Sequence, residues 1–306
     1  LNIPQKEVHP GQLVTVCIKA VNRHVIFLGK QQFQIGVAYL NTPGNEKEML
    51  QCDGVTEKVQ QTMAEFSPKH CGIAQIDIEK VFLQDYLGLI GTQKNFRGSC
   101  QLAVLPEPVL STRVRTGMEK QQEYRYSAVA DDDSDILDLR AFRPGDNLNH
   151  IHWNLSLRTD DLIVRQYGEQ IDVKKVILVD LSILNTAQYR SRMDAVYTAV
   201  ASIANLYVEN EVNTLILAWN GQKQSAEYLE VHDRTELNRA MIRLMQIPCS
   251  SRAGEHAAAV YLKDIEAQGQ QALFVTAGSY ENNKVRIVNV EKIQLQELID
   301  ELWEKI

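Results

Sequence analysis

Residues 138–167 hold the side chains of this sequence whose types and spacing could do chemistry. Four arginines lie among four carboxylates in this stretch, and His150 and His152 lie beside Trp153. Charged groups remain buried in proteins only when they are paired and hydrogen-bonded. We therefore interpret the stretch first as a structural segment, pinned by arginine–aspartate pairs against a domain. The charged residues are Asp138, Arg140, Arg143, Asp146, Arg158, Asp160, Asp161 and Arg165.

A metal-dependent enzyme is the alternative interpretation of the same stretch. His150 and His152 would lie on one side of a strand, and Asp146 could add a carboxylate, in a spacing that zinc enzymes use. Against this, His152 could instead hydrogen-bond to neighbouring backbone or to a carboxylate. The alternative is kept, with Asp146, His150 and His152 as one candidate centre and Asp180 as the other.

A second candidate site follows a buried strand. Residues 176–179 form a continuous apolar run that ends at Asp180, and Ser182 follows. Such runs are typical of parallel sheets covered on both faces. In these sheets ligands bind outside the carboxyl ends of the strands, where the strand order switches. Asp180 and Ser182 are therefore candidate ligands for Mg²⁺, because hard cations prefer oxygen donors.

The elements that must position Asp180 alternate between strands and helices. Asn220-Gly221 predicts a hairpin turn, and Asp233 with Glu236 predicts the capped start of a helix. This alternation predicts that residues 171–306 form a doubly wound α/β domain with helices on both faces. The predicted strands are 176–180, 215–219, 226–231, 272–276 and 285–290, and the other helices are 193–210, about 255–268 and 295–306.

Residues 1–108 have a different pattern. Apolar and polar residues alternate over residues 12–20, 33–39 and 72–82, with glycine, proline and asparagine between them. Several short strands at this spacing, without a convincing helix, predict a β-sandwich of the immunoglobulin or fibronectin kind. Residues 109–170 are then a linker and the charged segment, which we expect to pack on the C-terminal domain.

Composition narrows the classes of function. The 306 residues suit two domains, and a net charge of −7 argues against a nucleic-acid partner. No nucleophile elbow, phosphate loop or dinucleotide fingerprint is present, so we predict neither an enzyme nor a bound cofactor, apart from the candidate Mg²⁺. The odd number of scattered cysteines predicts reduced thiols: Cys17, Cys52, Cys71, Cys100 and Cys249.

The charged segment also carries a family resemblance. The pattern D-x-R-x-F-x-P-G-D, followed by I-H-W and R-x-x-x-L-x-V-R, resembles the signature of bacterial domain-of-unknown-function family 58. Residues 85–89 are similar to the D-P-x-G-L element of that family, with Tyr86 where proline is usual. The matching signature positions are Asp138, Arg140, Phe142, Pro144, Gly145, Asp146, Ile151, His152, Trp153, Arg158, Leu162, Val164 and Arg165.

The C-terminal domain resembles von Willebrand factor type A domains. Asp180-x-Ser182 is similar to the opening of their metal-ion-dependent adhesion motif, D-x-S-x-S. Leu184 takes the place of the second serine, and Ala277 stands where an aspartate is usual. The resemblance therefore implies a degenerate adhesion motif that lacks two of its oxygen ligands.

The family resemblance also implies a cellular setting. Its members usually carry one or two transmembrane helices just ahead of this point, and Leu1-Asn2-Ile3 is not a natural initiation. We therefore expect this chain to be the soluble, cytoplasmic part of a membrane-anchored bacterial protein. It would contact the membrane only through that anchor. The implied function is a non-catalytic protein-binding or assembly module, with a MoxR-type AAA+ ATPase as its implied partner.

Overall fold

The computed structural model divides the chain into two compact units. One comprises Leu1–Val114 together with Lys174–Ile306, and the other comprises Arg115–Val173. The predicted domain boundaries at residues 108 and 170 stay predictions. The structure describes residues 1–21, 28–40, 47–54, 59–96, 98–112, 136–143, 146, 151–159, 161–167, 174–182, 188–264, 272–278, 280 and 285–305.

The N-terminal part of the first unit contains two sheets that share one core. In the larger sheet the order is β1-β8-β6-β3-β4, with β7 paired to β6, and the smaller sheet pairs β2 with β5. Alternate residues of β2 are buried, as the period of two in the sequence predicts. The strands are β1 Glu7–Val8, β2 Val14–Val21, β3 Leu28–Tyr39, β4 Glu48–Gly54, β5 Val59–Phe66, β6 Gly72–Asp85, β7 Gly91–Lys94 and β8 Ser99–Val104.

The second unit contains a short hairpin sheet and one helix. Strand β9, Ile136–Ala141, pairs antiparallel with β10, Ile163–Tyr167. Helix α1, Trp153–Thr159, precedes β10 in the chain. The metal-dependent alternative places His150 and His152 on a strand, but Trp153, the residue after His152, begins this helix.

The C-terminal part of the first unit is an open, mostly parallel sheet in the order β13-β12-β11-β14-β15. Strand β13 is antiparallel to β12, as the Asn220-Gly221 turn predicts, and the other pairs are parallel. The elements are β11 Lys175–Val179, α2 Tyr189–Glu209, β12 Thr214–Asn220, β13 Ser225–Val231, α3 Arg234–Gln246, α4 Ala253–Asp264, β14 Ala272–Thr276, β15 Arg286–Asn289 and α5 Leu295–Trp303.

Helices cover both faces of this sheet. Ile177 and Val179 of β11 share a core with α2, α3 and α5, whereas Val176 and Leu178 share a core with α4. Because successive residues of a strand point to opposite faces, a continuous apolar run is what such a two-sided core requires. The predicted alternation of strands and helices is therefore confirmed for this part of the chain.

Asp233 caps α3 as predicted. Its side chain accepts a hydrogen bond from the Glu236 N–H, at 2.7 Å. The Glu236 carboxylate accepts from the backbone N–H of His232, at 3.0 Å, one residue before the cap. Both side chains therefore satisfy backbone donors at the start of the helix, where no intrahelical partners exist.

The two parts of the first unit are joined by a shared core and by polar contacts. Ile73, Ala103 and Leu105 pack into the core that surrounds α2. The Asp194 carboxylate of α2 binds His70 Nδ1 at 2.7 Å and accepts from the Cys71 N–H at 2.8 Å. Apolar packing and hydrogen bonds therefore both join α2 to the N-terminal part.

Asp300 of α5 anchors the segment that follows β8. Its Oδ1 accepts from Ser111 Oγ at 2.7 Å and from the Thr112 N–H at 3.0 Å. Its Oδ2 accepts from Thr112 Oγ1 at 2.8 Å. These hydrogen bonds lower the pKa of Asp300 to about 2, so the carboxylate is charged across the neutral range.

All five cysteines are free thiols. No helix among the described residues is long and apolar enough to span a bilayer.

We expect Ile76→Ala to lower the free energy of unfolding by about 2–5 kcal/mol, because it removes fully buried methyl groups and leaves a cavity. Ile76 of β6 is 0% exposed, whereas Ile90 is 72% exposed. Ile90→Ala is the matched control and should change stability by less than about 0.5 kcal/mol. Urea unfolding of both variants is the measurement, and equal losses would contradict the assigned core.

Candidate functional site

Arg140 and Asp146 form a bidentate ion pair in the second unit. Arg140 donates from its two terminal nitrogens to Asp146 Oδ2 at 2.7 Å and Oδ1 at 2.8 Å. The Arg143 N–H donates to Asp146 Oδ2 at 2.7 Å, and the Asp146 N–H donates to the Arg143 carbonyl at 3.0 Å. This parallel geometry is the strongest form of arginine–carboxylate contact. It ties the end of β9 to Asp146.

The same contacts fix the charge of Asp146. The Arg140 guanidinium, and after it the Arg143 N–H, lower the pKa of Asp146 to about 2. The carboxylate is therefore ionised at neutral pH, and both of its oxygens already accept hydrogen bonds. A group held in this way is suited to fixing the backbone and is unsuited to exchanging protons near pH 7.

His152 caps the start of α1. Its Nδ1 accepts from the Leu155 N–H at 3.3 Å, and its carbonyl accepts from the Ser156 N–H at 3.0 Å. Ser156 Oγ accepts from the Ile163 N–H at 2.9 Å and so connects the helix to β10. His152 thus bonds to neighbouring backbone, which is one of the roles predicted for it.

The remaining signature residues have varied placements. Trp153 is 57% exposed, Arg158 is exposed, and Ile151 and Val164 are buried and form a β-bridge. Pro144, Gly145 and His150 lie outside the described residues. Asp138 lies opposite Gln166 in the β9–β10 ladder, and Arg165 lies opposite Leu139.

A zinc centre finds no support in the described part of the second unit. Asp146 is occupied by Arg140, and His152 Nδ1 faces a backbone amide. Across the described residues of the whole chain, no group of three or more His, Cys, Asp and Glu side chains is placed to hold a metal ion. The metal-dependent alternative stays a prediction, since His150 is not described.

We expect Arg140→Ala to lower the urea midpoint, because it leaves the Asp146 carboxylate without its main partner. Asp146 titrates near 2 in the folded chain and near its usual 3.8 when unfolded. Its contribution is therefore full above pH 4 and is lost as the pH falls towards 2. The difference in urea midpoint between the parent and Arg140→Ala should therefore decrease as the pH falls from 4 towards 2.

Arg158→Ala is the matched control for this change, since Arg158 is exposed in the last turn of α1. Its urea midpoint should follow that of the parent at every pH. Equal midpoints for the parent and Arg140→Ala at pH 7 would show that the ion pair has no structural role.

Asp180 lies at the end of β11, next to two hydroxyl groups. Its Oδ1 accepts from the Ser182 N–H at 3.0 Å and from Ser182 Oγ at 2.5 Å. Its Oδ2 accepts from Thr276 Oγ1 at 2.6 Å, at the end of β14. The neighbours of β11 are β12 on one side and β14 on the other, so Asp180 lies at the switch in strand order.

Backbone groups close this cluster. The Gly254 N–H of α4 donates to Ser182 Oγ at 3.3 Å, and the Gly278 N–H donates to Thr276 Oγ1 at 2.9 Å. A Cβ on Gly254 would lie 2.5 Å from Asp180 Oδ1, so only glycine allows α4 to approach this closely. Ser182 also forms a β-bridge with Ser250.

The described residues do not fit a resident Mg²⁺. Mg²⁺ prefers near-octahedral oxygen ligation and is usually held by one or two carboxylates with several waters. Here one carboxylate already accepts from both hydroxyls, and each hydroxyl accepts from a backbone N–H. Ala277 is apolar and buried, and Leu184 lies outside the described residues. Asp180 and Ser182 therefore form a half-buried polar contact whose hydrogen bonds are made within the protein.

Exposed side chains border the Asp180 cluster at the start of α4. Arg252, Glu255 and His256 are exposed, and the His256 ring packs on Trp219 of β12 with centroids 4.8 Å apart. We call Asp180, Ser182, Ser250, Gly254 and Thr276, with this border, the carboxyl edge.

Sequence reasoning had missed Thr276, Gly254 and the stacked pair of Trp219 and His256. Thr276 had a usable signal, because it is a polar residue that ends a predicted apolar strand, as Asp180 is.

We expect calorimetric titration of the chain with Mg²⁺ and Mn²⁺ to give no saturable heat into the low millimolar range, because the Asp180 oxygens are already used. Asp180→Ala should give the same flat trace. Saturable binding by the parent that Asp180→Ala abolishes would show that Asp180 is a cation ligand and would overturn this assignment.

Comparison with known proteins supports the family resemblance. Residues 138–285 match the family described as "Protein of unknown function DUF58", so this part of the chain is similar to that family. No curated protein matches the sequence.

Two solved structures show only distant likeness. A protein from Bacteroides vulgatus ATCC 8482 assigned to the glycoside hydrolases is 9% identical, with a TM-score of 0.19, over 89% of this chain and 41% of that one. A cycloisomaltooligosaccharide glucanotransferase of a Paenibacillus species is 12% identical, with a TM-score of 0.21, over 92% of this chain and 38% of that one. The chain spans about two fifths of either protein.

Proposed function

We propose that this chain is a non-catalytic protein-binding module that contacts its partner through the carboxyl edge. The observation that supports this is the position of Asp180, which lies at the switch in strand order and is fixed by Ser182 and Thr276. Sheets of this kind bind their ligands at that position. We also propose that the two parts of the first unit correspond to an immunoglobulin- or fibronectin-like β-sandwich and a von Willebrand factor type A-like domain.

The physical character of the edge favours a protein partner. The buried part of the cluster is satisfied internally, so it holds the border in place and leaves no reactive group free. Arg252, Glu255 and His256 then offer both signs of charge and an aromatic surface to the outside. Charged borders of this kind select a partner by complementarity, and arginine and tryptophan are the residues enriched at binding hot spots.

The family resemblance guides the choice of partner and location. We propose a MoxR-type AAA+ ATPase as the partner and a membrane-anchored, cytoplasmic setting for the soluble part of the protein. The metal-ion-dependent adhesion motif would be degenerate, so binding would use side-chain contacts without a bridging cation.

We expect the purified chain to bind a MoxR-type ATPase from the same organism, and Arg252→Glu to weaken that binding by about tenfold or more, since a like-charge contact replaces an attractive one. Arg239→Glu is the matched control, because Arg239 is exposed on α3, outside the carboxyl edge. Calorimetry or surface plasmon resonance gives the dissociation constants.

Two outcomes would contradict the proposal. If the parent does not bind the ATPase, the proposed partner is wrong. If Arg252→Glu and Arg239→Glu weaken binding equally, the carboxyl edge is not the contact surface. Circular dichroism of both variants should match the parent, because both positions are exposed.

A further inference from the structure

The turn between β6 and β7 presents a concentrated apolar surface. Tyr86, Leu87, Leu89 and Ile90 are 72–80% exposed, with Gly88 between them at a φ of 69°. β7 is itself exposed along its whole length and pairs with β6, whose other side pairs with β3 as far as Asp85. We call residues 86–90 the apolar tip. Single exposed apolar residues are ordinary, whereas a contiguous group of four marks an interaction surface.

Hydrogen bonds within the turn satisfy part of its backbone. The Asp85 N–H donates to the Ile90 carbonyl at 2.9 Å, and the Gly88 N–H donates to the Asp85 carbonyl at 3.0 Å. The Ile90 N–H donates to Asp85 Oδ1 at 2.9 Å. Backbone groups that enter an apolar medium must find partners within the protein. These internal hydrogen bonds lower the free-energy cost of transferring the backbone of the turn from water to an apolar medium.

Charged side chains are absent from the tip, and its base carries the Asp85 carboxylate and two lysines. Residues 86–93 contain no charged side chain. Lys94, opposite Val81 in the β6–β7 ladder, and Lys80 are exposed behind the tip. Tyrosine is enriched where a bilayer meets water, and lysines behind an apolar anchor are attracted to anionic headgroups.

The exposure of the tip favours a lipid bilayer over a protein groove as its binding partner. All four apolar side chains are 72–80% exposed although they follow one another around a tight turn, so little of any of them packs on the rest of the protein. A groove on a protein covers one side of such a turn, whereas lipid surrounds it.

We propose that the apolar tip inserts into the boundary between headgroups and acyl chains of a lipid bilayer, with Lys80 and Lys94 close to the headgroups. This is a membrane contact within the N-terminal part of the chain itself. It is independent of the proposed partner at the carboxyl edge.

Vesicle co-sedimentation of the chain tests the proposal, with vesicles of phosphatidylcholine alone and mixed equally with phosphatidylglycerol. We expect the parent to bind both, and to bind the anionic mixture more tightly. The double variant Leu87→Asp with Leu89→Asp should lose about tenfold or more of its partition coefficient, because carboxylates do not enter the apolar region.

Leu13→Asp with Met63→Asp is the matched control, since Leu13 and Met63 are 60% and 59% exposed on other parts of the same unit. It adds the same charge and should bind vesicles at least tenfold better than the tip variant. Thermal melts of both double variants should match the parent. No binding of the parent to either vesicle, or equal losses in the two variants, would overturn the proposal.

A second readout places the tip in the lipid. Tyr86→Trp should give a blue-shifted fluorescence contribution with vesicles, quenched by brominated acyl chains, relative to the parent. Vesicle binding without quenching would show that another surface makes the contact. Self-association of the parent without lipid, abolished by the tip variant, would identify a second copy as the occupant and overturn the lipid assignment.

Discussion

Burial of α2 is the constraint on which the rest of the first unit depends. Thirteen of its 21 residues are buried, so the helix is enclosed on more than one side. It packs against the parallel sheet, α3 and α5, and its core extends to Ile73 and Leu105 of the N-terminal part. A polar group on such a helix needs a partner. Ser202 meets this need by donating to the Thr198 carbonyl and accepting from the Val109 N–H.

The polar cluster around Asp194 follows from the same burial. Burial raises the pKa of Asp194 despite the opposing hydrogen bonds from His70 and the Cys71 N–H. Burial, and after it the charge of Asp194, raises the pKa of Cys71 to about 12, so this thiol stays protonated and unreactive. Cys71, His70 and Asp194 therefore join the two parts of the unit, and the protonated Cys71 thiol is a poor nucleophile.

Patterns within single elements predicted much of the fold, and contacts between distant elements set the rest. The apolar run before Asp180, the Asn220-Gly221 turn and the Asp233 cap are local signals, and the structure contains all three elements they predicted. Helix α1 was missed because seven residues with a central serine give little periodicity, and its bonds to β10 through Ser156 stabilise it. The pairing of Arg140 with Asp146 joins residues six positions apart within the charged segment that the sequence singles out. The contact of Asp180 with Thr276 joins residues 96 positions apart, and no local pattern predicts it.

The attachment of Ser111 and Thr112 to Asp300 limits which signals the molecule can sense. Because the pKa of Asp300 is about 2, no pH met inside a living cell changes its charge. The attachment of Ser111 and Thr112 to Asp300 therefore does not change with pH in that range. Detaching this segment from α5 requires mechanical force, or another acceptor that competes for the hydroxyl and amide donors of Ser111 and Thr112.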